Sequence, residues 1–455
     1  MERTVDEPRC TIRNVKLSPV ICLLSVSLAI AQPGPAAHDP AGTARKALDA
    51  LLSQNFPDYS AVLAPQLKAN TTADQFARFG QQIKKWGAVQ NIGKPAVQNM
   101  GPTSLVTIPV TFASEDINFM FGVNASGEVS GMVPRPAPVA WQPPSYYKPG
   151  SFKERSITVG DGEWKLPGTL AVPTGTGPFP AVLLVQGFGP RDRDETNEAI
   201  KVFRDVSYGL ASRGVVVLRY EKRTREYAQK MAGKPYTPSD ETVDDAETAL
   251  DVLRTQPEVD PKRVYLLGHD LGGYLAPWIA GDDEKLAGVI IMGANARPLE
   301  DVMVEVLQYV EAVQVAASEN PQAAAQKLKD DVANAKAAAA RIKKLEDTDA
   351  DSPPLLGLPS AYWIDLKGYD PIADAKKLSI PILVLGGGRD FEVPTTDFNL
   401  WKNGLAGQKG VATKLYPAMN HLFVAGEGKS TSAEYKKPNH VAPEVVDDIA
   451  KFMGK

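Results

Sequence analysis

An α/β fold with a mostly parallel central sheet, preceded by a small α+β unit, is what this chain of 455 residues predicts, and three observations carry the expectation. From about residue 150 onward, short runs rich in Val, Ile and Leu alternate with stretches of helical spacing, the pattern of a parallel sheet covered on both faces. Ahead of them, helical periodicity gives way to a period-2 alternation of apolar and polar residues. Within the larger part, the apolar run Val264-Tyr-Leu-Leu267 enters Gly268-His-Asp-Leu-Gly272 and then a helical stretch ending near Ala280. That junction is a strand–turn–helix corner with glycines on either side of Asp270.

The chain opens with Arg13 and Lys16, an apolar run over Leu17–Ile30, and Ala29-Ile30-Ala31 as a small-residue cleavage site. This is the layout of a secretory signal, so residues 1–31 are expected to be removed and the mature protein exported, periplasmic or secreted. The run is short of the roughly 20 residues of a membrane span, and no membrane association beyond the signal is expected. Cys10 and Cys22 are the two cysteines and both fall in this segment. The mature chain then has no disulfide, thiolate or Cys-based metal chemistry, and Ile21 is bulky where a lipoprotein signal at Cys22 needs a small residue. With 43% hydrophobic residues the remainder supports a sizeable core, and a formal net charge of −4 gives no broad basic surface for nucleic acid. No cofactor or metal motif is present; the expected partner is a small-molecule substrate.

The α+β unit spans 40–133. Ala44, Leu48, Leu51, Leu52, Phe76 and Phe79 recur at helical spacing, and Asn70-Thr-Thr-Ala-Asp-Gln75 reads as a helix start. Alternation over Ser104–Ala113 and Asp116–Val123, with a turn at Asn124-Ala-Ser-Gly127 before Val129–Met132, predicts a curved antiparallel sheet. Pro134, Pro136, Pro138, Pro143 and Pro144, among Trp141, Tyr146 and Tyr147, mark a stiff linker over 134–150.

The larger domain, 151–455, starts with a hairpin (Phe152–Val159, Trp164–Val172). Strands follow at Pro180–Gln186, Gly214–Tyr220, Arg263–Leu267, Ala287–Met292, Ile380–Leu385 and Ala412–Leu415. Helices fall at Phe203–Arg213, Asp240–Thr255, Leu271–Ala280 and Pro443–Met453. Asp301 to about Ala350 breaks this rhythm with Ala/Lys/Glu-rich helical spacing and reads as two helices inserted as a cap, about 297–365.

Three further features stand at strand ends. Gln186-Gly-Phe-Gly-Pro190 is a Gly-rich turn with main-chain N–H groups free to face a ligand. Gly386-Gly-Gly-Arg-Asp390 places an acid after a strand, and Tyr416-Pro-Ala-Met-Asn-His421 a histidine after the last one. All lie where open α/β sheets bind ligands, beyond the carboxyl ends of parallel strands. The order is elbow residue, acid, histidine.

On these motifs, residues from about 150 to 455 resemble the secreted α/β hydrolases of the esterase and dienelactone-hydrolase-like group, which usually read G-H-S-L-G-G at the elbow and H-G-S-G-P at the oxyanion turn. The first unit resembles, by pattern alone, the small cone-shaped domain ahead of some of them. The resemblance implies an α/β-hydrolase fold with a helical cap, Asp270 at the nucleophile position, Asp390 as triad acid, His421 as base, and the N–H groups of Phe188 and Leu271 as the oxyanion hole. The chain departs from the group twice: Asp270 replaces its serine and Gln186 the histidine of its oxyanion turn.

Other readings stand beside these. Asp270 could cap the helix as a structural residue, and Glu392 could replace Asp390. His440 competes with His421, while His38 lies just after the signal and His269 belongs to the elbow framework. Arg191-Asp-Arg-Asp-Glu195 reads as a solvated, internally paired loop, with a substrate clamp as its alternative. In the cap, Tyr309 and Trp363 are candidates for substrate contact.

An aspartate changes the chemistry. A serine needs a base to ionise it, whereas a carboxylate is already charged at neutral pH, and a helix starting at Leu271 favours that charge. His421 would then activate the water that hydrolyses a covalent intermediate. Attack on an ester carbonyl gives a high-energy mixed anhydride, and attack on an sp3 carbon an ordinary ester. The sequence therefore supports, in order, a hydrolase of a small ester-like substrate, an Asp-nucleophile hydrolase of epoxides or carbon–halogen bonds, and a non-catalytic binder. Against the second reading, those enzymes typically have tryptophan where this chain has Leu271, and Tyr309 and Tyr362 are the only cap tyrosines to protonate an epoxide.

Overall fold

The computed structural model describes residues 39–137, 140–316, 318 and 320–455; the export segment expected over 1–31 lies outside them. The chain divides into two compact units, Met1–Pro138 and Val139–Lys455.

In the first unit, helices Pro40–Leu52, Phe56–Ala61, Pro65–Ala69 and Ala73–Lys85 precede five strands. These are β1 (Val89–Ile92), β2 (Ala96–Met100), β3 (Thr103–Phe112), β4 (Asp116–Asn124) and β5 (Val129–Pro136). The helix start read at Asn70–Gln75 is a reciprocal cap: Thr72 Oγ1 accepts the Gln75 N–H at 3.2 Å, and Gln75 Oε1 the Thr72 N–H at 2.8 Å. The sheet is antiparallel in the order β1-β3-β4-β5, with β2 also on β3. Its alternation buries Val106, Ile108 and Val110 of β3 and Ile117, Phe119 and Phe121 of β4 against Leu48 and Leu51 of the first helix. Strand β5 continues through Pro134 and Pro136, which the proline cluster had assigned to the linker. An edge strand tolerates proline because its outer side needs no ladder donor.

The second unit is built on strands β6 (Phe152–Val159), β7 (Leu166–Pro173), β8 (Phe179–Val185), β9 (Val216–Tyr220), β10 (Val259–His269), β11 (Gly288–Met292), β12 (Ile382–Gly387) and β13 (Val411–Tyr416). They form one sheet in the order β13-β12-β11-β10-β8-β9-β7-β6. β6, β7 and β9 pair antiparallel in sequence along the edge; all other pairs are parallel. Because side chains alternate across a strand, Val182, Leu184, Leu267 and Ile290 face helices Val202–Ala211 and Pro443–Phe452. Leu183, Val185, Leu266 and Val289 face helices Asp244–Arg254 and Leu271–Gly281. Each such side chain, fully buried, is worth roughly 1.5–3 kcal/mol, so this double-faced sheet is a stiff base for the loops at its carboxyl edge.

Between β11 and β12 the chain leaves the sheet in two packed helices, Leu299–Ala316 and Pro321–Ile342, joined through Val304, Ala335 and Ala339. This is the inserted cap. The stretch after Ala140 lies against the second unit: Trp141 Nε1 donates to Asp205 Oδ1 at 2.8 Å, and the Tyr146 hydroxyl donates to the Val441 carbonyl at 2.9 Å.

Candidate active site

Strand β10 ends at His269 and helix Leu271–Gly281 begins two residues on, so the whole reversal falls on Asp270, at φ 52°, ψ −119°. A non-glycine residue there stores strain of order 1–3 kcal/mol. The neighbours explain how the turn closes. A Cβ on Gly268 would meet the Gly272 main chain, and one on Gly272 would lie 2.7 Å from the Val185 carbonyl carbon. Main-chain bonds pin the apex: the Asp270 N–H donates to the Met292 carbonyl at 3.0 Å, and the Asp270 carbonyl accepts the Tyr274 N–H at 2.9 Å.

The Asp270 side chain does not cap the helix behind it. It reaches across to the Gly-rich turn after β8, where Oδ2 accepts the Phe188 N–H at 2.8 Å. Gly187 makes room for this, since a Cβ there would sit 2.6 Å from Oδ2. Leu271 is buried, and its N–H is the first of the helix, with no carbonyl of that helix to bond. Gln186 is buried beneath the turn, with its amide on the Tyr220 carbonyl.

His421, on the loop after β13, is 2% exposed, and its Nδ1 lies 2.9 Å from Asp390 Oδ2. Asp390 Oδ1 accepts the N–H groups of Glu392 at 2.9 Å and Val393 at 2.8 Å, a turn that fixes the carboxylate. Glu392 points elsewhere, accepting the Tyr435 hydroxyl at 2.6 Å. His440 is bonded to Asp205 at 3.0 Å, with no contact to Asp390.

The charges are coupled. Burial works against the Asp270 carboxylate, but His421, His269, the Phe188 N–H and Arg191 outweigh it and hold the group below the ordinary aspartate value. Burial likewise works against a charged His421, yet Asp390, Glu392 and Asp270 raise it from 6.5 to about 10. At neutral pH the resting site therefore holds an ionised Asp270 and a protonated His421.

Two buried charged side chains, Glu195 and Lys222, hold the turn. Glu195 was placed in a solvated loop, yet it is 3% exposed: Oε1 accepts the Gly187 N–H at 2.7 Å and Oε2 lies 3.1 Å from His269 Nδ1. The other side chains of that run pair outside it and not with one another, contrary to the internal pairing expected: Asp194 is bound by buried Arg219, and Arg193 reaches Glu221 at 2.6 Å. Lys222, two residues beyond β9, donates to the Gly187 carbonyl at 2.9 Å and approaches Glu241 at 3.4 Å. Its position past the end of a parallel strand was the one available signal. The cap tyrosines are engaged, Tyr309 donating to the Ser430 carbonyl at 2.8 Å and Tyr362 to Glu241 at 3.1 Å. Trp363 is buried, with its indole N–H on the Leu355 carbonyl. A cleft of 650 Å³ opens beside the turn, lined by Gly189, Pro190, Tyr236, Glu241, Pro353 and Leu358 among others, within the size range of small-molecule sites.

Elbow, acid and histidine at the carboxyl edge of this sheet define an α/β hydrolase. The chain belongs to the alpha/beta hydrolase family, whose sequence model matches residues 174–427. It is similar to esterase EstD of Thermotoga maritima, with 34% identity over 410 residues, 89% of this chain and 93% of the relative. Among solved structures it is similar to Est1E from Butyrivibrio proteoclasticus (15% identity, 66% of this chain and 99% of the other, TM-score 0.41). Another is a dienelactone hydrolase-type protein from Klebsiella pneumoniae (15% identity, 67% and 100%, TM-score 0.39).

Proposed function

We propose that this protein is a hydrolase of small ester-like substrates in which Asp270 is the nucleophile, His421 the base and Asp390 its partner. The observation that carries the reading is the Asp270–Phe188 hydrogen bond of 2.8 Å. It leaves Oδ1 as the attacking oxygen while Oδ2 rests on a main-chain donor. In the first step Oδ1 bonds to the acyl carbon, the ester C–O bond breaks, and the leaving oxyanion takes the proton held by His421; aryl and enol esters, with stable leaving anions, suit this step best. In the second, water adds to Cγ of Asp270 and its proton passes to His421. Negative charge develops on Oδ2, against the N–H groups of Phe188 and Leu271, until the Cγ–Oδ1 bond breaks, the acid product leaves carrying Oδ1, and Asp270 keeps the water oxygen in its regenerated carboxylate.

The resting charges set the order of events. A protonated His421 is no base. Forming the covalent intermediate removes the Asp270 charge, one of the carboxylates that raise His421, and so favours a neutral imidazole when water must be activated. The 34% identical relative named an esterase supports the substrate class. The same Oδ2 placement also favours attack on an sp3 carbon, so epoxides and haloalkanes are the second reading.

Intact mass separates these. A His421→Ala variant, mixed with aryl ester, epoxide and haloalkane panels, should accumulate an acyl adduct on Asp270. An adduct only from epoxides or haloalkanes sinks the ester reading; no adduct and no turnover in the native chain, with esterase activity in Asp270→Ser, sinks the aspartate nucleophile. We propose in addition that the chain is exported after cleavage at Ala31, which N-terminal sequencing of the mature protein tests.

A further inference from the structure

We propose that Lys222 is a positioning residue that aims and polarises the Phe188 N–H through the Gly187–Phe188 peptide group. The proposal rests on reading Phe188 as an oxyanion donor. One planar peptide holds both relevant atoms. Its carbonyl, from Gly187, accepts Lys222 Nζ at 2.9 Å, and its N–H, from Phe188, donates to Asp270 Oδ2 at 2.8 Å. In a trans peptide the two bonds point opposite ways. A cation on the carbonyl oxygen therefore draws electron density from the amide and strengthens the N–H as a donor.

The surroundings fit this role. Lys222 is 1% exposed, so water does not screen its charge. Glu241 holds it at 3.4 Å and is itself held by the hydroxyls of Thr224 at 2.9 Å and Tyr362 at 3.1 Å. On the other side of the glycine, Glu195 accepts the Gly187 N–H at 2.7 Å and faces His269 Nδ1 at 3.1 Å. His269 Nε2 lies 3.1 Å from the carbonyl of His421. Both main-chain groups of Gly187 are thus gripped by buried side chains of opposite charge. Buried ion pairs are seldom better for stability than apolar packing, whereas their placement on the two polar atoms of one residue fixes the next N–H.

The experiment uses the full chain labelled with 15N-phenylalanine, the Phe188 amide being assigned by its loss in Phe188→Leu. In Lys222→Met the Phe188 amide proton should move upfield and exchange with solvent at least about 10-fold faster, as expected for a weakened hydrogen bond. In Glu241→Gln, which leaves the lysine charge unneutralised, it should move downfield. On an aryl ester, Lys222→Met should lower kcat about 10-fold with KM within about 2-fold, less than the roughly 10²-fold loss of a whole oxyanion donor. An unchanged Phe188 amide in folded Lys222→Met, or shifts of the same sign in both variants, overturns the proposal whether or not any ester is hydrolysed. Should Lys222→Met fail to fold, the downfield shift in Glu241→Gln decides alone. Opposite shifts in a native protein without turnover on any panel support the lysine's role and overturn the ester reading.

Discussion

The carboxylate of Asp270 accepts the Phe188 N–H at 2.8 Å, so the residue at the elbow already occupies the donor that would receive an oxyanion. A serine hydroxyl at this apex would leave that donor to the substrate. The aspartate instead places one of its own oxygens there, which is where the proposed mechanism puts the charge when water attacks Cγ.

Removing that carboxylate should remove the chemistry. Asp270→Ala is expected to lose at least about 10³-fold in kcat and to form no adduct in the His421→Ala background, while thermal unfolding stays cooperative. Steady-state kinetics and intact mass check both.

His421 provides a pH signature. Its value of about 10 depends on Asp390 first, then Glu392 and Asp270, so Asp390→Asn should lower it by at least about one unit, read by histidine NMR titration. The native value lies above the unfolded 6.5. The stabilisation is therefore complete below pH 6.5 and lost as pH rises through about 10. Native protein should lose thermal stability across that window more steeply than His421→Gln.

Two glycine substitutions should separate function from folding. A Cβ at Gly187 falls 2.6 Å from Asp270 Oδ2, so Gly187→Ala should displace the carboxylate and cost about 10²-fold in turnover with a smaller change in stability. A Cβ at Gly272 falls 2.7 Å from the Val185 carbonyl carbon and 2.8 Å from the Gln186 oxygen. Gly272→Ala should thus destabilise the fold by about 1–3 kcal/mol, measured by denaturant unfolding.

The second histidine–aspartate pair should be structural. Asp205, fully buried, accepts from Trp141 Nε1 at 2.8 Å, the Val441 N–H at 3.0 Å and pairs with His440 at 3.0 Å. Asp205→Ala should cost about 3 kcal/mol, whereas His440→Ala should leave aryl-ester kcat unchanged.

Much of this was legible in the chain. The Val/Ile/Leu runs of β8, β11 and β12, and the second half of β10 from Val264, mark strands buried on both faces because no charged residue interrupts them. The glycines around Asp270 mark the sharp corner, since only they leave space for the crossing main chain. The places of Asp390 and His421 just past strand ends, where the structure pairs them at 2.9 Å, are also readable from the sequence. Less visible was Glu195: a run of five polar residues reads as solvent-facing, and nothing local reveals that its last carboxylate turns inward. Pro134 and Pro136 misled in the opposite sense, since composition cannot tell an edge strand from a linker.

The sequence by itself determined the sheet, the elbow and which residues stand at its carboxyl edge, because hydrophobic period and turn glycines are local properties. The tertiary structure alone decided what touches what. That Asp270 reaches Phe188, that Lys222 and Glu195 grip the two polar atoms of Gly187, and that His421 meets Asp390 and not Glu392 are relations between residues up to 82 positions apart. They exist only once parallel strands bring their loop ends to one edge.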